Sequence, residues 1–324
     1  MKYRKVLVTG GAGFIGAHLV KKLVELGCKV TVVDDLSRGK KKNLKTVWKK
    51  IKFYKLDLKR EEKIRPIFKR QELIFNLAAL NTGVDFDEGR TQVMFEHNML
   101  LQMIPLRVAA QCPSIKKFIQ ISSASVYSRE AMEHQVPTPE TADTSNPEPS
   151  KLGYGLAKKM GENLASWYSE NTKLKTVSVR FINVFGEQDH HDAMGHFIPM
   201  MVWKCLEAKK KLEVFGSGKQ CRSFLYVEDA VSALLLLSQK GKNGEAYNVD
   251  SNNEHSVAEV VKLICKYLGK EKLKLFFNKK KPEGSQRRLL DSSKLQTLGW
   301  KPKISFDEGL ARTVKSMQSE WHGR

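Results

Sequence analysis

Short, β-branched apolar runs alternate with longer amphipathic stretches through the first half of the chain. The runs cover residues 6–8, 30–34, 51–57, 73–77, 118–122 and 177–181, and an amphipathic stretch over residues 14–26 separates the first two. Alternation of this kind predicts a parallel sheet covered by helices. Residues 97–111 and 154–170 have helical length and apolar periodicity, with Pro105 expected to kink the first. Helices this long suit the flank of a sheet or the interface of a dimer.

Residues 136–150 are rich in Pro, Thr and Ser and read as a loop leading into the second long helix, at the mouth of any site there. Beyond Gly186 the pattern is less regular. Helices are expected near residues 197–208, 227–238 and 257–268, with a turn at Gly216-Ser217-Gly218. The expected organisation is a first domain over residues 1–185 and a smaller, substrate-facing lobe over residues 186–324, with segments of the lobe free to return to the first domain.

Length and a hydrophobic content of 41% allow a substantial core in a 324-residue globular chain. The apolar run after Met1-Lys2-Tyr3-Arg4-Lys5 is too short for a secretory segment, and no run approaches a membrane span. The expectation is a cytoplasmic protein with no membrane partner. Five scattered cysteines, an odd number without paired spacing, read as reduced thiols and not as metal ligands. The 56 Lys+Arg against 35 Asp+Glu give a net charge of +21, compatible with nucleic acid, an anionic surface or an anionic small substrate. The lysine clusters at residues 40–42, 209–211 and 279–281 lack interleaved aromatics, so they read as solvated surface and no nucleic-acid partner is expected.

Thr9-Gly10-Gly11-Ala12-Gly13-Phe14-Ile15-Gly16 joins the first strand to the first helix, with Gly10, Gly13 and Gly16 at every third position. Glycines there permit a tight turn and let helix N-terminal amides face a pyrophosphate, the arrangement of a Rossmann-type doubly wound α/β sheet. Asp34 ends the second strand, where a carboxylate accepts hydrogen bonds from ribose hydroxyls and repels a 2′-phosphate, favouring NAD over NADP despite the basic Arg38 nearby. Asp57-Leu58 ends the third strand and reads either as an adenine neighbour or as a strand-ending cap. Tyr154 and Lys158 stand one helical turn apart, so the lysine charge favours the phenolate of a phenol whose unperturbed pKa is about 10. Ser122-Ser123-Ala124-Ser125-Val126-Tyr127 ends an upstream strand, where a serine hydroxyl can bond a reacting sugar oxygen.

Over nearly its whole length the chain resembles the extended short-chain dehydrogenases/reductases, specifically the nucleotide-sugar epimerases and dehydratases. The likeness rests on residues 9–16, Asp34, Asp57-Leu58, Asn76-Leu77-Ala78-Ala79, Asn98, residues 122–127, 154–158, 180–186 and 216–229. It implies a cofactor site of Gly10, Gly13, Phe14, Ile15, Gly16, Asp34, Asp57, Leu58, Ala78, Ala79, Asn98 and Ser122, with Lys158 also holding the nicotinamide ribose beside Tyr154. It makes Ser123, Tyr154 and Lys158 catalytic. For a nucleotide-diphosphate sugar it implies Ser123, Ser125, Asn183, His196, Arg222 and Arg287, the two arginines as phosphate or ribose ligands.

Two subfamily signals compete. The turn Ser123-Ala124-Ser125-Val126-Tyr127 resembles UDP-glucose and UDP-glucuronate 4-epimerases and lacks the Asp-Glu pair that 4,6-dehydratases carry at the positions of Ala124-Ser125. Residues 183–199 and 281–288 resemble GDP-fucose synthase, in which His196 falls at the acid for C3/C5 epimerisation. Its partner cysteine is replaced by Ser125, a hydroxyl too weakly acidic to abstract a carbon-bound proton unaided. The expected activity is NAD-dependent C4 epimerisation of a UDP- or GDP-sugar through a 4-keto intermediate, by a homodimer. The alternatives are a GDP-4-keto-6-deoxy-sugar reductase/epimerase and, in a different class, a nucleotide-sensing or nucleic-acid-binding protein, which would not need an intact Ser-Tyr-Lys set.

Overall fold

The computed structural model describes residues 2–81, 89–190, 195–281 and 285–321. Residues 191–194 of the 183–199 stretch and Pro282-Glu283-Gly284 of the 281–288 stretch lie outside the described residues. In the first half, β1 (Lys5–Thr9), α1 (Phe14–Glu25), β2 (Lys29–Asp34), β3 (Ile51–Lys55), α2 (Glu61–Phe68), β4 (Leu73–Asn76), α3 (Thr91–Ala110), β5 (Lys117–Ser123), a short α4 (Arg129–His134), α5 (Leu152–Asn171) and β6 (Lys175–Phe181) follow one another. The second half contains β7 (Asn183–Phe185), α6 (Phe197–Glu207), β8 (Lys211–Phe215), β9 (Cys221–Tyr226), α7 (Val227–Lys240), β10 (Ala246–Val249), β11 (Glu254–Ser256), α8 (Val257–Tyr267), β12 (Lys274–Asn278), β13 (Arg287–Arg288), a single-turn α9 (Ser293–Gln296) and α10 (Phe306–Glu320).

Seven parallel strands form the main sheet in the order β10-β6-β5-β4-β1-β2-β3. The outermost strand β10 comes from the second half of the chain. Successive residues on each strand feed opposite faces of the sheet. Val6 and Val8 therefore join one hydrophobic cluster with α1 and α7, while Leu7, Ile74 and Phe118 join the other with α2 and α3. Both faces are covered, which explains the near-continuous apolar strands. Beside this layer, β9 pairs with β7, β11 and β13, and β8 pairs with β12.

α3 begins six residues before the expected start and runs through Pro105. Proline at that position leaves the Leu101 carbonyl without its helical donor. Asn76 Nδ2 supplies the replacement at 3.1 Å, so the helix carries the proline without ending there.

Candidate active site

The strand order reverses between β1 and β4, where open α/β sheets bind ligands beyond the carboxyl ends of their strands. Thr9 Oγ1 donates to Asn76 Oδ1 at 2.7 Å and accepts from Ala78 N at 3.3 Å, tying the two strand ends together. Gly10 has φ of +64°, and a Cβ there would lie 2.8 Å from Ala78 N. A Cβ on Gly16 would lie 2.2 Å from Gly10 O, so α1 can start against this turn only with glycine in place. Gly13 caps α1 without a side-chain bond, and no acidic residue occupies the first turn. Backbone donors and the positive end of the helix are thus offered to an anion.

Gly10, Gly13, Phe14, Ile15, Gly16, Asp34, Leu58, Ala78 and Ala79 all line one cleft, together with Tyr154, Lys158 and His196. Asp34 is buried, and its two oxygens accept from Ala12 N and Leu36 N, each at 2.9 Å. Burial raises its carboxyl above the ordinary range, while these amide bonds pull it back down. Each oxygen retains a further lone pair for a ribose hydroxyl.

Asp57 accepts from Lys59 N at 2.9 Å and pairs with Lys59 Nζ at 3.5 Å, the bonds of a strand-ending cap, and its charge also reaches His97 of the cleft. Asn98 is buried and clamps the cleft wall: Nδ2 donates to Leu80 O at 3.0 Å and to Met94 O at 2.8 Å, and Oδ1 accepts from Leu80 N at 2.9 Å. Ser122 Oγ donates to Glu162, which also holds Arg180, so this serine belongs to a buried ion-pair network below the cleft.

Three close glycine contacts set the position of Tyr154. A Cβ on Gly153 would lie 2.1 Å from Thr91 O, one on Gly155 2.4 Å from Ser125 O, and one on Gly161 2.2 Å from Gln102 Oε1. α5 is thereby seated against α3 and against the turn that ends β5. Lys158 is almost fully buried, donates to Ile121 O at 2.7 Å, and holds Nζ 5.5 Å from the centre of the Tyr154 ring. Burial lowers the Lys158 ammonium to about 7, with the Glu162 charge opposing the shift. Ser123 follows two residues after Ile121 on the same strand, and its Oγ accepts from Ser125 N at 3.1 Å and donates to Ser125 Oγ at 3.3 Å.

On the substrate side, Arg287 is the register partner of Cys221 and Arg288 that of Arg222. Register partners on parallel strands project to one face. Arg222 and Arg288 therefore share a face, and Arg287 projects to the other, where it forms a two-point pair with Glu254 at 2.7 Å. Arg288 Nη2 donates to Ser125 Oγ at 3.3 Å. Its Nε is sealed from solvent and has no hydrogen-bond partner among the described residues. Arg222 Nη1 donates to Cys221 O at 2.7 Å, and Asn183 Nδ2 donates to Ser223 O at 2.9 Å. His196 Nδ1 lies 3.0 Å from both oxygens of the buried Asp189, and Nε2 lies 3.1 Å from Asn81 Nδ2. Lys151 Nζ donates to Asn81 Oδ1 at 3.0 Å, which turns the amide NH2 towards the ring and fixes the Nδ1–H tautomer.

The model of the NAD dependent epimerase/dehydratase family matches residues 6–250. The chain belongs to this family. It is 29% identical over 319 residues to a probable GDP-L-fucose synthase 1 of Oryza sativa subsp. japonica, covering 96% of this chain and 91% of the relative. It superposes with a TM-score of 0.87 on UDP-glucose 4-epimerase with UDP-glucose from Thermotoga maritima, at 31% identity and covering 97% of this chain and 99% of that one. A UDP-glucose 4-epimerase complex with NAD from Thermus thermophilus gives a TM-score of 0.81 at 28% identity, covering 98% and 99%.

The cofactor of this epimerase/dehydratase is NAD. The residues present fit it: a glycine cradle that any Cβ would fill, an open helix N-terminus, and a carboxylate with spare acceptors. Among the described residues, no group of three or more His, Cys, Asp or Glu side chains is placed to hold a metal ion. Three residues near these were not singled out from the sequence. Arg288 adjoins Arg287, and only strand register puts the two on opposite faces. His97 lines the cleft within reach of the Lys59, Asp57 and Asp35 charges, with burial lowering its imidazole, and α3 periodicity alone gave no sign of it. Asp189 stands seven residues before His196 and meets it only through the fold.

Proposed function

We propose that this family member is a nucleotide-sugar C4 epimerase. The observation that carries the reading is the seating of the Tyr154 turn on the Ser123–Ser125 turn, at two positions, Ala124 and Ser125, that offer a methyl and a hydroxyl but no carboxylate. Taking a proton from carbon to start a dehydration needs a base there. Removing one from a sugar hydroxyl needs only the phenol.

Bound NAD supplies a reversible hydride acceptor, so oxidation at C4 followed by reduction of the opposite face leaves no net redox change. Tyr154 takes the C4 hydroxyl proton and later returns it. Lys158 keeps a cation beside the ring and orients the helix through Ile121 O. Ser123 bonds the same sugar oxygen. Arg222 and Arg288, on one face, hold the diphosphate with their forked donors, and the sealed Nε of Arg288 supports an anion at that place. Burial lowers Arg288 below its ordinary range while the Glu148 charge opposes this, so a bound anion relieves a cost already present in the fold.

The His196–Asp189 pair favours a second reading, a GDP-4-keto-6-deoxy-sugar reductase/epimerase, because a carboxylate-oriented imidazole in the cleft can take up a proton at Nε2 as a general base and return it as an acid. Incubation with UDP- and GDP-hexoses, and separately with a GDP-4-keto-6-deoxy-hexose plus reduced cofactor, separates the two: the epimerase yields the C4 epimer of a hexose at constant NAD(H), and the reductase acts on the keto sugar and consumes one reduced cofactor per product.

The same proposal includes a homodimer. Val93 and Leu100 on α3 and Met160 and Trp167 on α5 are exposed on two helices packed side by side, a face suited to a second copy. Sedimentation should find dimers, and Met160→Glu with Trp167→Glu should yield monomers.

A further inference from the structure

From residue 36 to residue 56 the chain carries eight lysines, one arginine and no acidic residue. Composition alone assigns these lysines to solvated surface. In the fold, residues Lys41–Lys50 form a 3-10 segment whose Leu44 and Val47 are buried. Asn43 Nδ2 and Lys40 N both donate to Ala12 O at 3.0 Å, fixing the inner face of the segment to the body of the protein. The outer face carries a surface groove of about 550 Å³ lined by Lys41, Lys45, Trp48 and Lys49. The chain then continues directly into β3, the edge strand of the main sheet, where Tyr54 is exposed.

We propose that this face docks on an anionic lipid bilayer surface. Its own charge is of one sign over 21 consecutive residues, and of the five lysines lining the groove, Lys41, Lys42, Lys45, Lys49 and Lys50, Lys42 pairs with Glu320 of α10 at 2.6 Å. Lysine-rich segments fixed to a folded domain are attracted to the negative potential of anionic leaflets. The exposed aromatic in the patch, Trp48, is of a residue type that settles at the headgroup level. A single-stranded nucleic acid fits less well, because base stacking needs an open ring face. Trp48 has the Phe53 ring at 5.1 Å, tilted by 39°, and the Lys41 ammonium at 5.8 Å from its centre, so an edge is what it presents. The patch is separate from the cofactor cleft, which on this stretch is lined by Ser37, Arg38 and Leu56 and by none of residues 39–55.

The test is sedimentation of the full chain with phosphatidylcholine vesicles and with vesicles of phosphatidylcholine and phosphatidylglycerol. Pelleting is expected with the anionic vesicles only, weakened by at least about tenfold in high salt and in the Lys45→Glu/Lys49→Glu variant, with turnover unchanged. Trp48→Ala should weaken it at both salt concentrations. If the charge-reversed variant does not fold, acetylation of the wild type decides: vesicles should protect Lys41, Lys45 and Lys49. No pelleting with anionic vesicles, equal pelleting of the charge-reversed variant, unprotected lysines, or binding to polyuridylate in place of vesicles would each overturn the proposal.

Discussion

The Lys158 ammonium stands 5.5 Å from the centre of the Tyr154 ring while its hydrogen bond goes to Ile121 O, so the two side chains are coupled through charge and shared placement. Tyr154 does the proton transfer in the proposed reaction. Tyr154→Phe should lower turnover by at least about 100-fold, the low end of general acid–base contributions, while leaving NAD binding within a few-fold of wild type. Stopped-assay turnover and a cofactor titration check the two halves separately.

Lys158 also gives a pH signature in stability. Its folded value is lowered to about 7, against roughly 10.4 in an unfolded chain. Between these values the unfolded chain holds more protons, so the contribution of this group to stability rises with pH; below about 7 its full burial penalty is present. In cofactor-free protein, the melting temperature of wild type relative to Lys158→Met should rise from pH 7 to pH 10. Parallel curves would contradict the buried-lysine account.

Gly155→Ala should disturb catalysis without touching a reacting group. Its Cβ would lie 2.4 Å from the Ser125 carbonyl, and backbone on both sides leaves little room to yield. A loss of about 1–3 kcal/mol in stability is expected from such overpacking. Turnover should fall with it, because the same displacement moves Tyr154 off the β5 turn. Chemical denaturation and turnover at saturating substrate read the two effects.

Arg287 and Arg288 are adjacent in sequence and project to opposite faces of their strand. Arg288→Met should raise the KM for the sugar nucleotide by about tenfold or more, as expected for loss of a charge-assisted contact. Arg287→Met breaks a surface pair with Glu254 and should leave KM within about twofold. Equal effects would show that the register argument assigns the wrong arginine.

These neighbours also mark where the sequence stops being readable. The glycine turn, Asp34 and the Tyr154–Lys158 spacing were legible because each depends on a short stretch of chain in one strand or one helical turn. The parallel sheet was legible from its buried strands, apart from β10, which joins from the second half. Arg288, His97 and Asp189 were not, because strand pairing sets Arg288 beside Arg222, helix packing sets His97 in the cleft, and the fold alone brings Asp189 to His196. The donor that serves Leu101 O in place of Pro105 was equally hidden, because Asn76 lies 29 residues before the proline and reaches that carbonyl only in the folded sheet.

The most direct measurement is an NMR time course of purified enzyme with UDP- and GDP-hexoses, followed together with absorbance at the reduced-nicotinamide band. The expected result is conversion of one sugar nucleotide to its C4 epimer at constant absorbance, lost in Tyr154→Phe. No epimer from any hexose, with product formed only from an added 4-keto-6-deoxy-sugar nucleotide at the cost of one reduced cofactor each, would contradict C4 epimerisation.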